Sequence, residues 1–214
     1  MAILTLKTPV SHSSEPRPLR FAGDDRALVR GLKQGHPGAM EALYDRYAAH
    51  VERVLTRVLG FDPERYDLVH EVFIEAYRSA RRIKDGQALQ AWMTTLTVFT
   101  ARQCIRKRQR RRVYWVKDAA PHMEVPVFDA DPAEIEVLRA AYRVLDGMSA
   151  EDRILFSLRF IDGMELAELA AACNVSLSTV KRRLRRAEAR FSTAAERFPS
   201  LAEYAADGGR RRNR

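Results

Sequence analysis

Between Asp24 and Phe191 the apolar positions recur at intervals of three and four residues, the spacing of one helix face. No stretch of useful length alternates as a half-buried strand does. Asp24 stands at an N-cap position ahead of Leu28, Val29 and Leu32, and Gly35 closes that short helix. Pro37 suits a first helical turn. Behind it Met40, Leu43, Tyr44, Tyr47, Val51, Val54, Leu55 and Val58 form a stripe that ends at Gly60. Asp62-Pro63 opens a third helix with Leu68, Val69, Val72, Phe73, Ala76 and Tyr77 inward, and Glu64, Asp67, Glu71 and Glu75 on the opposite face. A fourth helix is expected from about 88 to 110, burying Leu89, Trp92, Met93 and Leu96.

The period then fails. Residues 113–131 contain two prolines and read as a linker. Asp131-Pro132-Ala133-Glu134 restarts the helical pattern with an N-cap, a proline at the first position and an acid in the first turn. Ile135, Leu138, Ala141, Tyr142 and Leu145 follow at stripe spacing. Ser149 caps a helix carrying Ile154, Leu155, Leu158 and Ile161, which Gly163 ends. Leu166, Leu169, Ala170 and Cys173 make a short helix, Asn174-Val175 a turn, and Ser176 caps a last helix with Val180, Leu184, Ala187 and Phe191 inward. The expected fold class is all-α: two helical domains joined by a linker, the second a helix-turn-helix domain. The expected divisions are a disordered arm at 1–20, a first domain at 21–112, the linker, a second domain at 132–195 and a basic tail at 196–214.

Charge sharpens this picture. Lys and Arg number 37 against 28 Asp and Glu, for a formal charge of +9. Such an excess points to a polyanion, nucleic acid or an anionic membrane surface. Seven of the eleven residues from Arg102 to Arg112 are basic, as are six of the ten from Lys181 to Arg190, and the tail adds four more. Charges this dense repel one another unless an anion offsets them. The acidic face at 64–75 would repel DNA, so it suits a basic protein surface. No window approaches the 18 apolar residues of a membrane span, so no insertion is expected. Two cysteines, Cys104 and Cys173, make neither a disulfide framework nor a cysteine zinc site, which places the expectation in the reducing cytoplasm.

The most specific local signal is 165–190. A short helix, a brief turn and a capped second helix form a helix-turn-helix, with small Ala170 and Ala171 where the helices cross and Val175 filling the turn. The second helix would enter the major groove with Ser178, Thr179, Lys181 and Arg182 toward base edges and phosphates. Arg183, Arg185 and Arg186 are expected to hold phosphates, which positions without specifying sequence.

With these segments read, the chain resembles the sigma-70 family of RNA polymerase sigma factors, extracytoplasmic-function (ECF) type, over roughly 23–192. The residues that carry the resemblance are the helix DLVHEVFIEAY at 67–77, LQAWMTTLT at 89–97 with its basic continuation, and 145–191. The resemblance implies that Asp67, Glu71 and Glu75 dock on the clamp helices of core RNA polymerase. It implies that Lys84, Arg102, Arg106, Lys107, Arg108, Arg110 and Arg111 hold the melted strand of the minus-ten element, and that the second domain reads the minus-thirty-five duplex and touches the polymerase flap. The linker would thread near the active site and RNA exit path. An anti-sigma protein is a further partner that the family allows. The chain departs from the family pattern at His70, Phe99 and Gln103.

Opening a promoter costs a few kcal/mol per flipped base. The sequence has no phosphate-binding loop to fuel that, so capture of the separated strand in a basic groove is the expected mechanism. The loop 81–88 is the expected pocket for a flipped base, and Trp92 is expected in the core. No cofactor, metal site or catalytic residue is expected: His70-Glu71 begins a zinc-protease motif, but Ile74 stands where its second histidine belongs. Two other readings stand beside this one: a helix-turn-helix regulator that binds an operator without joining polymerase, and an RNA-binding or nuclease-like protein built on the arginine runs.

Overall fold

The computed structural model describes residues 21–60, 62–83, 88–114 and 131–203, with side chains up to Arg111 in the fourth helix. The arm at 1–20, Lys84 and its loop, linker residues 115–130 and the tail beyond 203 lie outside the described residues.

Local capping sets where the helices begin and end. In α1 (Asp25–Gln34), Asp24 Oδ1 accepts from the Ala27 amide at 2.8 Å. Gly35 terminates it with φ of 71°, a conformation that costs other residues energy, and its amide turns back to the Gly31 and Leu32 carbonyls. α2 (Ala39–Leu59) starts two residues after Pro37 and ends at Gly60. α3 (Arg65–Ser79) runs into a 3-10 turn, Ala80–Arg82. α4 (Leu89–Tyr114) continues past the expected end near 110. Asp131 caps α5 (Pro132–Asp146) and Ser149 caps α6 (Ala150–Phe156). The latter widens into a π-helical turn, Ser157–Ile161, which the periodicity does not reveal. α7 (Leu166–Cys173) opens on a reciprocal Glu165–Glu168 capping box, and α8 (Leu177–Ala195) on Ser176. The described residues contain helices and no strand.

α2, α3 and α4 pack mutually, with α1 against α2. α6, α7 and α8 form the second unit, with α5 against α8. Most of the expected stripe residues are buried, and each full burial of a Leu or Val contributes about 1.5–3 kcal/mol. Two aromatics depart from the expectation. Tyr44 lies exposed at the stripe edge, 4.8 Å from the Phe73 ring, and Tyr77 is 70% exposed. At its C-terminal end the second unit reaches beyond 195: Phe198 and Leu201 pack on Tyr142, Leu145 and Met148.

The two units are also packed on each other. α4 lies against α6 and α7, and one apolar cluster runs from Leu28 and Val54 through Ile105 to Ile154, Leu169 and Val180.

Candidate nucleic-acid and protein-docking surfaces

The helix-turn-helix is built from local chemistry. Asn174 adopts the left-handed conformation at φ 53° that ends α7, a geometry asparagine tolerates. Ser176 Oγ accepts from the Thr179 amide at 3.3 Å and lies 3.0 Å from Ser178 Oγ and 2.9 Å from Thr179 Oγ1. Val180, Leu184 and Ala187 face the core, so Ser178, Lys181, Arg182 and Arg185 are left exposed on one outward face, with Thr179 and Arg183 half-buried.

Arg186, expected to hold phosphate, is engaged within the fold. Its Nη2 donates to Asp152 Oδ1 at 2.6 Å, and Arg190 Nη1 donates to Asp152 Oδ2 at 3.1 Å. Asp152 has no exposed surface, so the two arginines tie α8 to α6. Among the described residues Lys181, Arg182 and Arg185 are the exposed cations of the face without an ion pair. Replacing Lys181 or Arg182 with alanine is expected to flatten the slope of log affinity against log salt for duplex DNA by about 1 each, measured by fluorescence anisotropy.

On α4 the basic run divides in the same way. Arg108, expected in the strand-binding set, has its guanidinium paired with Asp62, whose carboxylate is nearly buried, and donates to Glu64 at 2.8 Å. The bonds to Asp62 hold its charge more firmly than usual. Arg102 is half-buried beside Cys173, whose thiol burial pushes up while Arg102 and Arg183 pull it down. Arg106 pairs with Glu151 of α6. Lys107, Arg110 and Arg111 are exposed, and Phe99 shares the outward side at 45% exposure. Trp92 sits in the core as expected.

α3 presents a different surface. Asp67 and Glu71 are exposed and Glu75 half-buried, one turn apart. Tyr66, Ile74 and Tyr77 on the same helix are also exposed, with the Arg65 guanidinium 5.0 Å from the centre of the Tyr66 ring. Sequence reasoning found the acids and missed the aromatics. The available signal was two large apolar residues, Tyr66 and Ile74, lying off the inward stripe.

His50 joins α2 to α4. Its Nδ1 lies 3.1 Å from Arg53 Nη2, which can only donate, so Nδ1 accepts. Nε2 then carries the proton and donates to Thr94 Oγ1 at 2.8 Å, while Thr94 donates to the Gln90 carbonyl. Burial first, and Arg53 second, hold the imidazole below its usual 6.5. The unfolded chain therefore takes up a proton before the folded one. The stability His50 contributes is full above about pH 6.5 and declines as pH falls through and below that value. His50→Gln is expected to flatten this part of the stability–pH curve in denaturant titrations. Among the described residues no group of three or more His, Cys, Asp or Glu could hold a metal, and no helix is long and apolar enough to cross a membrane.

A small helical body with an acidic, aromatic face, joined to a helix-turn-helix with a cationic recognition face, defines a class of DNA-binding proteins that also dock on protein. Comparison with known proteins narrows the class. The family model "Sigma-70 region 2" matches residues 43–111 and "Sigma-70, region 4" matches 138–191, together more than half of the chain. The ECF RNA polymerase sigma-E factor of Haemophilus influenzae is 27% identical over 172 residues, covering 76% of this chain and 90% of that protein. The factor of the same name from Escherichia coli K12 is 28% identical over 177 residues, with the same coverage. Among solved structures, CnrH in complex with the cytosolic domain of CnrY aligns with TM-score 0.56 at 20% identity, covering 81% of this chain and 98% of that one. The sigma factor RpoE bound to the anti-sigma factor NepR, from Bartonella quintana, aligns with TM-score 0.53 at 20% identity, covering 73% and 96%. The chain belongs to the sigma-70 family of RNA polymerase sigma factors, in its ECF group.

Proposed function

We propose that the chain is a promoter-specificity subunit that binds core RNA polymerase, directs it to promoters and helps open them. The observation that carries this reading is the α3 face. A regulator that only binds an operator has no use for exposed acids alongside exposed Tyr66, Ile74 and Tyr77 on a helix outside the helix-turn-helix. Such a face fits a basic, partly apolar protein surface, with aromatic anchors supplying affinity and carboxylates orientation. Asp67, Glu71 and Glu75 are assigned to the polymerase clamp helices.

The exposed Lys181, Arg182 and Arg185 of α8, with Ser178, Thr179 and Arg183, take the upstream duplex. Arg106, Lys107, Arg110 and Arg111, with Arg102 and Lys84, line the path of the separated strand. Arg108 and Arg186 serve instead as struts. The chain performs no chemistry of its own and needs no cofactor: it captures the opened strand, and polymerase contacts supply the remaining free energy. It works in the cytoplasm, where promoter DNA and polymerase are found. An anti-sigma partner, as in the complex of the Bartonella quintana factor with NepR, is a regulatory route that its fold permits.

The test compares promoter binding by the chain alone with binding in the presence of core polymerase. The expected result is weak, steeply salt-dependent binding alone and tight binding with polymerase. Tight sequence-specific binding by the isolated chain in moderate salt contradicts the proposal.

A further inference from the structure

The apolar row of α8 runs past the edge of the core. Ala187, Leu184 and Val180 are buried, and the same row continues three residues further to Leu177, which is 42% exposed. Leu177 is the first residue of the recognition helix and belongs to neither apolar cluster of the described residues. It stands in the turn that a helix-turn-helix directs at base edges in the major groove. A leucine held in water there gains from any apolar surface that covers it.

The polar groups of the same turn are already engaged. Ser176 Oγ accepts from the Thr179 amide and lies 3.0 Å from Ser178 Oγ and 2.9 Å from Thr179 Oγ1, so the three hydroxyls satisfy one another. One turn on, Lys181 is exposed, with Arg182 and Arg185 beyond it. These cations draw the phosphates of a duplex onto the face, and a phosphate contact positions without reading sequence. Among the described residues of α8, Leu177 is the one large apolar side chain that they bring to the groove exposed.

Of the four bases, only thymine presents an apolar group in the major groove, its C5-methyl. Resting on the function proposed above, we infer that Leu177 is a specificity-determining residue that packs on a thymine methyl of the upstream duplex element. The contact rewards thymine at one position of one strand, while the cations hold the register that brings the methyl under the leucine.

The test uses the full chain assembled with core polymerase, and a duplex fragment carrying the upstream element of a promoter from which that complex starts transcription. Each thymine of the element, on either strand, is replaced in turn by deoxyuridine, which keeps the base pair and removes only the methyl. With the wild-type chain, one position is expected to lose about fourfold in affinity, the worth of one buried methyl. Leu177→Ala is expected to weaken binding of the unmodified fragment by a similar factor and to make the same deoxyuridine silent. It should leave the salt slope unchanged, since no charge is lost, whereas Lys181→Ala should flatten the slope and keep the deoxyuridine effect. Leu177→Met retains the apolar reach and should restore most of the affinity together with the methyl dependence. Both Leu177 variants should melt near the wild-type temperature, because the side chain lies outside the core.

A wild-type complex indifferent to every deoxyuridine overturns the inference. So does a methyl effect of equal size in Leu177→Ala, which assigns the thymine to another group or to duplex deformability. So does a loss in Leu177→Ala that appears in polymerase affinity without DNA, which places Leu177 under the polymerase instead. These three outcomes leave the functional reading standing. A wild-type chain that leaves the starting points of polymerase unchanged defeats that reading and the inference with it.

Discussion

Replacing Asp67, Glu71 and Glu75 together with alanine is expected to lower affinity for core RNA polymerase at least about a hundredfold, roughly 3 kcal/mol. Two of the three carboxylates are exposed and the third is half-buried, and among the described residues none has an ion-pair partner. The variant should therefore melt near the wild-type temperature, since exposed substitutions away from structural features usually change stability by about 0.5 kcal/mol or less. Its binding to upstream duplex DNA should be unchanged, because α8 lies in the other unit. Tyr77→Ala is expected to cost a further tenfold, as a rigid aromatic anchor among carboxylates. Titration of labelled chain with core polymerase measures both. Full affinity in the triple variant would favour an operator-binding regulator that never joins polymerase.

The second large effect lies inside the helix-turn-helix unit. Asp152→Ala is expected to destabilise the protein by about 2 kcal/mol, below the 3–5 of a fully buried pair because both partner guanidiniums reach water. For a chain of this size that corresponds to roughly 4–8 °C in Tm. The carboxylate has no exposed surface and receives two arginines, so either arginine can be lost alone for about 1 kcal/mol or less while the other holds it. Removing the acid leaves two cations facing an apolar gap and loosens α8 from α6. Upstream duplex binding should fall with it, although Asp152 touches no DNA. Thermal melts of Asp152→Ala, Arg186→Ala and Arg190→Ala decide this: an Asp152→Ala melt equal to wild type would show that the three do not form a strut.

These two cases mark what was legible in the chain. The acids of α3 and the capped recognition helix could be read because their signals are local: a cap sits next to its helix, and a stripe repeats every turn. Asp24, Asp131, Ser149 and Ser176 all cap as expected. The ion pairs of Arg108 and Arg186 could not be read, because Asp62 and Asp152 lie 46 and 34 residues away and a basic run carries no mark of which member is paired. Tyr44 and Tyr77 fell at stripe edges, where a difference of one position decides between core and solvent. The widening of the helix at Ser157–Ile161 has no periodic signature. The contacts of Tyr142 and Arg153 with α2 span 85 to 95 residues and end on carbonyls, which sequence does not distinguish.

The account stands or falls on whether polymerase changes where it starts. Run-off transcription of genomic fragments with purified core polymerase, with and without the full chain, is the most direct measurement. Discrete new transcripts that require the chain, and that vanish with the α3 triple variant, are the expected result. Polymerase that produces the same transcripts in the presence and absence of the chain would contradict the central claim.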